Sequence, residues 1–234
     1  MALYPRVLAA GDPAVTVEFG ETIDPEVNDR VLAFTRGVER LALSGVIETV
    51  PTYRSATVYF DPIPVDAGPL AERLQTLAET LPPPISQVRR TVRIPVVYGG
   101  ELGPDLAEVA AFARLSVEKA MALHASVCYR VYMLGFTPGF PYMGPVPDAL
   151  TMPRLAEPRA RVPAGSVGIA GSQTGIYPIE SPGGWRLIGR TPLRLYDKGR
   201  LQPFLLEAED RVQFLPISRE EYERIARSSE RDAR

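Results

Sequence analysis

Three stretches of this chain combine glycines, aromatic rings and short polar side chains, the residue types that hold small ligands. The first reads Gly135-Phe-Thr-Pro-Gly-Phe-Pro-Tyr-Met-Gly144. Glycines let a main chain approach a ligand, and interleaved rings supply walls. That singles out Gly135, Phe136, Pro138, Gly139, Phe140 and Tyr142. The same spacing also suits a tight loop with its rings folded into a core. The second stretch, Val162 to Tyr177, carries Ser166, Gln173 and Thr174 among its glycines and can aim amides and hydroxyls at an oxyanion or phosphate. It lacks the Gly-Lys-Ser/Thr of a P-loop. Its Gly165, Gly168 and Gly171 recur every three residues with no clear helix after them, unlike a dinucleotide fingerprint. In the third, Ser181-Pro-Gly-Gly184 forms a turn that brings the only tryptophan, Trp185, next to Arg186. Trp185 reads equally as a core plug or a stacking surface.

The lone histidine, His124, is the one side chain whose unperturbed pKa, ~6.5, lies near neutrality. It falls at the expected C-terminal end of a helix, where the dipole favours imidazolium. Eleven residues separate it from Gly135, close enough for it to serve as a catalytic acid or base, although a packed or capping histidine has the same pattern. Between positions 135 and 192 five arginines face three acids, a local positive excess that suits an anionic ligand. Arg154 and Arg186 are the candidates for the mouth of such a site.

Composition narrows the classes. The 234 residues hold 26 Lys+Arg against 28 Asp+Glu, so no basic excess exists to hold nucleic acid. No basic helix with a bulky apolar face argues for membrane binding, and no apolar stretch approaches the ~18 residues of a bilayer span. Cys128 and His124, one of each type, exclude an internal disulfide framework, a cysteine-rich zinc site and a multi-histidine metal centre. The opening residues carry no secretory apolar run. The expectation is a cytoplasmic protein without a metal centre of its own.

The elements that must position these residues divide the chain in two. Pro82-Pro-Pro84 cannot donate to helix or sheet and marks a linker over 82–90. Before it, residues 1–81 read as a two-layer ββαββα unit. Strands at Val7–Ala9 and Val15–Phe19 precede a helix capped by Asp24 and ended by a left-handed Gly45, with Val27, Val31, Phe34, Val38 and Leu41 on one face. Strands at Val46–Thr52 and Thr57–Phe60 lead to a second helix with Leu70, Leu74, Leu77 and Leu81 on one face. After the linker, residues 91–218 read as a β-barrel or closed sandwich. A strand at Val92–Val97 is followed by short helices at Asp105–Arg114 and from Ser116 to His124. Further strands fall at Tyr129–Leu134, Ser166–Ala170, Gly175–Ile179, Trp185–Arg190 and Val212–Leu215. Residues 219–234 are a charged tail able to form a helix.

Taken in order, Gly135-Phe-x-Pro-Gly-Phe-x-Tyr142, Pro163-Ala-Gly-Ser-Val-Gly-Ile-Ala-Gly-x-Gln-Thr-Gly-Ile-Tyr-Pro178 and Ser181-Pro-Gly-Gly-Trp-x-Leu-Ile-Gly-Arg-Thr-Pro192 resemble the allophanate hydrolase subunit 1 family. That family includes the B component of 5-oxoprolinase and a sporulation kinase inhibitor. The likeness covers essentially the whole chain and is strongest from His124 to Pro192. It implies an α+β fold in which the ββαββα domain precedes a cyclophilin-like barrel, without the residue pattern of a prolyl isomerase. It further implies one component of an ATP-dependent 5-oxoprolinase, which opens 5-oxo-L-proline to L-glutamate alongside subunits C and A. ATP with magnesium would be held in a site shared with a partner. A role in allophanate or urea degradation and inhibition of a sensor kinase are the alternatives. The three stretches are expected to converge on one cleft near His124, with Phe136, Phe140, Tyr142 and Trp185 as walls and Ser166, Gln173, Thr174 and Ser181 as polar contacts.

Overall fold

The computed structural model describes residues 3–82 and 90–231, and the chain separates into two units, Met1–Val88 and Arg89–Arg234. Most of the proline-rich linker expected over 82–90 lies outside the described residues, as does the end of the tail.

In the first unit β1 (Arg6–Ala9), β2 (Ala14–Glu18), α1 (Pro25–Leu41), β3 (Val46–Pro51), β4 (Ser55–Phe60) and α2 (Ala67–Thr80) follow the predicted ββαββα order. The strands form an antiparallel sheet in the order β1-β2-β4-β3. Asp24 caps α1 by accepting from the amides of Glu26 and Val27 at 2.8 and 3.1 Å. The helix ends on Ala42, whose φ of 42° is left-handed, and not on Gly45 as the sequence suggested. Val15, Val17, Val31, Phe34, Val58, Phe60, Leu70 and Leu74 form a core wholly within this unit.

The second unit opens with β5 (Thr91–Tyr98), a 3-10 turn, α3 (Leu106–Phe112) and α4 (Val117–Ala125). There follow β6 (Cys128–Gly135), β7 (Phe140–Gly144), β8 (Arg159–Val162), β9 (Ser166–Ala170), β10 (Gln173–Ile176), β11 (Ser181–Gly183), β12 (Arg186–Arg190), β13 (Arg211–Pro216) and α5 (Arg219–Arg231). Seven of these strands close a barrel in the order β10-β7-β6-β13-β5-β12-β9, while β8 and β11 form a separate two-stranded ribbon. All barrel pairings are antiparallel except β5 with β13. The Phe140–Gly144 half of the first glycine stretch is therefore a strand, and Ser181–Gly183 is a strand where a turn was expected. Alternation expected at Gly175–Ile179 begins earlier, at Gln173.

The β9–β10 pair forms a wall with two different faces, because successive side chains of a strand point to opposite sides. Val167, Ile169 and Ile176 face the barrel core, packed with Ile94, Val96, Val131, Met143 and Phe214. On the outer side Gly168 and Gly175 are direct cross-strand partners. A methyl group at Gly175 would lie 2.8 Å from the Phe140 ring, and one at Gly168 would lie 3.0 Å from Cβ of Trp185. Glycine is required here because aromatic side chains lie against bare backbone. A second, aromatic core of Phe140, Val162, Ala170, Tyr177, Trp185 and Leu187 covers this outer face.

Candidate functional site

Phe140 is the hub of the outer cluster. It is 1% exposed and meets Tyr142, Tyr177 and Trp185 edge-on, with ring centroids 4.9, 5.1 and 5.3 Å away. Such edge-to-face pairs add ~0.5–1.5 kcal/mol each beyond burial, enough to fix the rings relative to one another. Phe136 also packs edge-on against Phe140 but is 62% exposed. Its backbone is left-handed, with φ of 63°, and the amide of Thr137 bonds across it to the Gly135 carbonyl at 2.7 Å. That tight turn is a strained conformation for a non-glycine residue, and it holds an aromatic ring at the rim.

Between these rings lies a cleft of about 80 Å³, lined by Phe136, Phe140, Tyr142, Arg154, Tyr177, Gly183, Gly184 and Trp185. It opens on the outer surface of the barrel wall. Gly183 presses on the Tyr177 ring, where an added methyl would come within 2.3 Å of the hydroxyl. Burial raises the pKa of the Tyr142 and Tyr177 phenols; Arg154 opposes the shift at both, as does Arg159 at Tyr177. The phenols thus stay protonated at neutral pH as donors, beside a cationic mouth. Among the described residues no carboxylate pairs with Arg154, so its guanidinium is available to an anion. Arg159 instead bonds Asp105 at 2.7 Å, and Asp105 also accepts from the Leu187 amide at 2.6 Å, clipping this side of the unit to β12.

The first and third stretches meet here through a subset of the anticipated residues, while the second reaches the cleft only through Tyr177 and none of its anticipated polar contacts. Phe136, Phe140, Tyr142, Arg154, Gly183, Gly184 and Trp185 line the cleft, and Trp185, 5% exposed, is mostly a plug with one edge in the lining. Tyr177 was missed, although alternation along β10 puts it on the same face as Gly175. Gly135, Pro138 and Gly139 shape the β6–β7 turn behind the rim, with Gly139 against Phe204 and Tyr196. Ser166 and Ser181 are buried and outside the lining, as is the half-buried Gln173. Arg186 turns away to an ion pair with Glu108.

His124 is in a different place altogether. It is fully buried, reaching from α4 among side chains of β5, β6, β10 and β13 in the barrel lumen. Tyr98 Oη lies 2.8 Å from Nδ1 and Thr174 Oγ1 lies 2.9 Å from Nε2. Burial lowers its pKa to about 3, so the imidazolium expected at a helix terminus is replaced by a neutral ring. With both nitrogens occupied and no accessible surface, it cannot exchange protons with a ligand in the cleft. Thr174, expected as a polar contact of the site, faces the lumen with it.

The cleft is too small for a nucleotide, its volume being well below the ~300–1,000 Å³ of ordinary ligand pockets. Among the described residues no group of three or more His, Cys, Asp or Glu could hold a metal ion. A nucleotide with its magnesium does not fit these residues alone. No helix among the described residues is long and apolar enough to cross a membrane.

Residues 5–206 match the family described as carboxyltransferase domain, subdomains C and D. The chain belongs to this family. It is 43% identical to the 5-oxoprolinase B component of Bacillus subtilis over 95% of this chain and 97% of that one. The crystal structure of TTHA0988 is similar at a TM-score of 0.77 and 44% identity, over 88% of this chain. This chain spans only 40% of TTHA0988. At 23% identity the urea carboxylase of Kluyveromyces lactis shares the fold, with a TM-score of 0.77 over 95% of this chain and 22% of that one.

Proposed function

We propose that this carboxyltransferase-family chain is the B component of an ATP-dependent 5-oxoprolinase, opening 5-oxo-L-proline to L-glutamate in assembly with subunits C and A. The observation that carries the reading is the end-to-end likeness to the Bacillus subtilis protein. The cleft supports it: a flat five-membered ring suits walls of Phe140, Tyr142 and Trp185, and a carboxylate suits Arg154 at the mouth. A lactam is a poor electrophile, and phosphorylating its carbonyl oxygen creates the leaving group that water needs to open the ring. Clamping the phosphates requires cations and oriented donors, which this cleft does not supply alone. The nucleotide is therefore assigned to a site shared with, or held by, a partner.

Coexpression of the three components from one host, followed by 5-oxoproline-dependent release of ADP and glutamate, tests the proposal. Turnover is expected only when all three are present. Full turnover without this chain overturns the reading. So does an assembly that turns over allophanate and not 5-oxoproline.

A further inference from the structure

The buried histidine and the outer cleft share the β9–β10 wall. Thr174 Oγ1 is 3.0 Å from the Gly168 carbonyl oxygen, which can only accept. The threonine proton is therefore committed to Gly168, and Thr174 must accept from His124. That fixes the tautomer: Nε2 carries the proton and donates to Thr174, while Nδ1 accepts from the Tyr98 hydroxyl. The result is a one-directional chain, Tyr98 to His124 to Thr174 to Gly168, ending on the backbone against which Trp185 lies.

The last link falls on a pair of residues held by backbone pairing and by the rings above them, with no side chains of their own. Gly168 and Gly175 oppose each other across β9 and β10, and neither has a side chain to restrain the pair. Thr174 precedes Gly175 in the chain and bonds Gly168 on the opposite strand, so one hydroxyl ties both glycines.

We propose that the Tyr98–His124–Thr174 hydrogen-bond chain is a positioning device that pins the Gly168–Gly175 floor beneath Phe140 and Trp185, making His124 and Thr174 positioning residues for the aromatic cleft. The link from cleft to turnover rests on the 5-oxoprolinase reading; the geometry of the floor does not.

The chain holds one tryptophan and one histidine, so both ends of the device can be read without ambiguity. Nitrogen-15 NMR of the wild-type chain is expected to show His124 as a neutral Nε2–H ring at pH 7. An Nδ1–H ring overturns the proposal. Thr174→Val keeps the side-chain shape and removes the link. Trp185 emission is expected to shift and acrylamide quenching to rise at least twofold while the far-UV circular dichroism is kept. In the assembled enzyme KM for 5-oxoproline rises at least fivefold with a smaller change in kcat. His124→Gln, which can donate to Thr174 and accept from Tyr98, is expected to restore wild-type quenching where His124→Phe does not. Unchanged Trp185 quenching in a folded but less stable Thr174→Val overturns the device and leaves a core hydrogen bond. If Thr174→Val does not fold, the tautomer and the Gln–Phe pair decide. A failed turnover assay with the expected fluorescence response counts against the 5-oxoprolinase reading alone.

Discussion

At the scale of single residues, Arg154 and His124 separate what touches a ligand from what holds the wall. Arg154→Ala is expected to raise KM for 5-oxoproline about tenfold or more with little change in stability, since its guanidinium is exposed and pairs with no carboxylate among the described residues. Steady-state kinetics and a melting curve check both halves. For His124 the expectation concerns acid. Its folded pKa of about 3 lies below the unfolded value of 6.5, so the unfolded chain takes up a proton that the native state refuses. Stability present above pH 6.5 is therefore lost as pH falls from 6.5 toward 3, by about 1.4 kcal/mol per unit. The titratable groups packed on the ring are the phenols of Tyr98 and Tyr129, both kept protonated by burial. Urea melts between pH 7 and 5 should show this slope in the wild type and not in His124→Gln; equal slopes would refute it. The residue identities were legible in the sequence, but the side of a barrel wall on which a side chain lies was not. Distance along the chain put His124 near Gly135, whereas its i, i+4 relation to the buried Ala120 on α4 was the signal for the interior.

At the scale of elements, the neighbouring glycines of the third stretch have different duties. Gly183 sits on β11 with the Tyr177 ring against its α-carbon, while an added methyl at Gly184 would meet nothing closer than 3.6 Å. Gly183→Ala is expected to cost about 1–3 kcal/mol through overpacking. Gly184→Ala should stay within about 0.5 kcal/mol, although its methyl adjoins the cleft. Chemical denaturation of the two variants, with an equal loss as the refuting result, distinguishes them. The helices and most strands of both units were readable from periodicity and caps, as with Asp24 on α1 and Ser116 on α4. The short strands β7, β8 and β11 were not. Phe140-Pro-Tyr-Met-Gly144 and Ser181-Pro-Gly183 are rich in proline and glycine, and the four residues of β8 lie between Pro158 and Pro163; pairing with neighbours distant in sequence overrides the local turn preference. The glycine-rich second stretch looked like an anion cradle for the same reason. Its Gly168 and Gly175 serve aromatic packing instead.

At the scale of the whole molecule, each unit closes its own hydrophobic core. Residues 90–234 produced alone are therefore expected to unfold cooperatively and keep the wild-type Trp185 emission. A gradual, non-cooperative melt would show the second core to be insufficient. The pairing of β5 with β13 bears on how such a core is reached. These are the first and last strands of the barrel, and β13 lies between β5 and β6. During synthesis the two earlier strands must wait, with unpaired edges toward each other, until residues 211–216 have left the ribosome. A nascent chain stalled before Arg211 exposes two strand edges, the surfaces on which chains associate wrongly. A premature stop anywhere from 200 to 210 would thus be expected to yield inclusion bodies or proteolysis, even though every residue of the cleft has already been made.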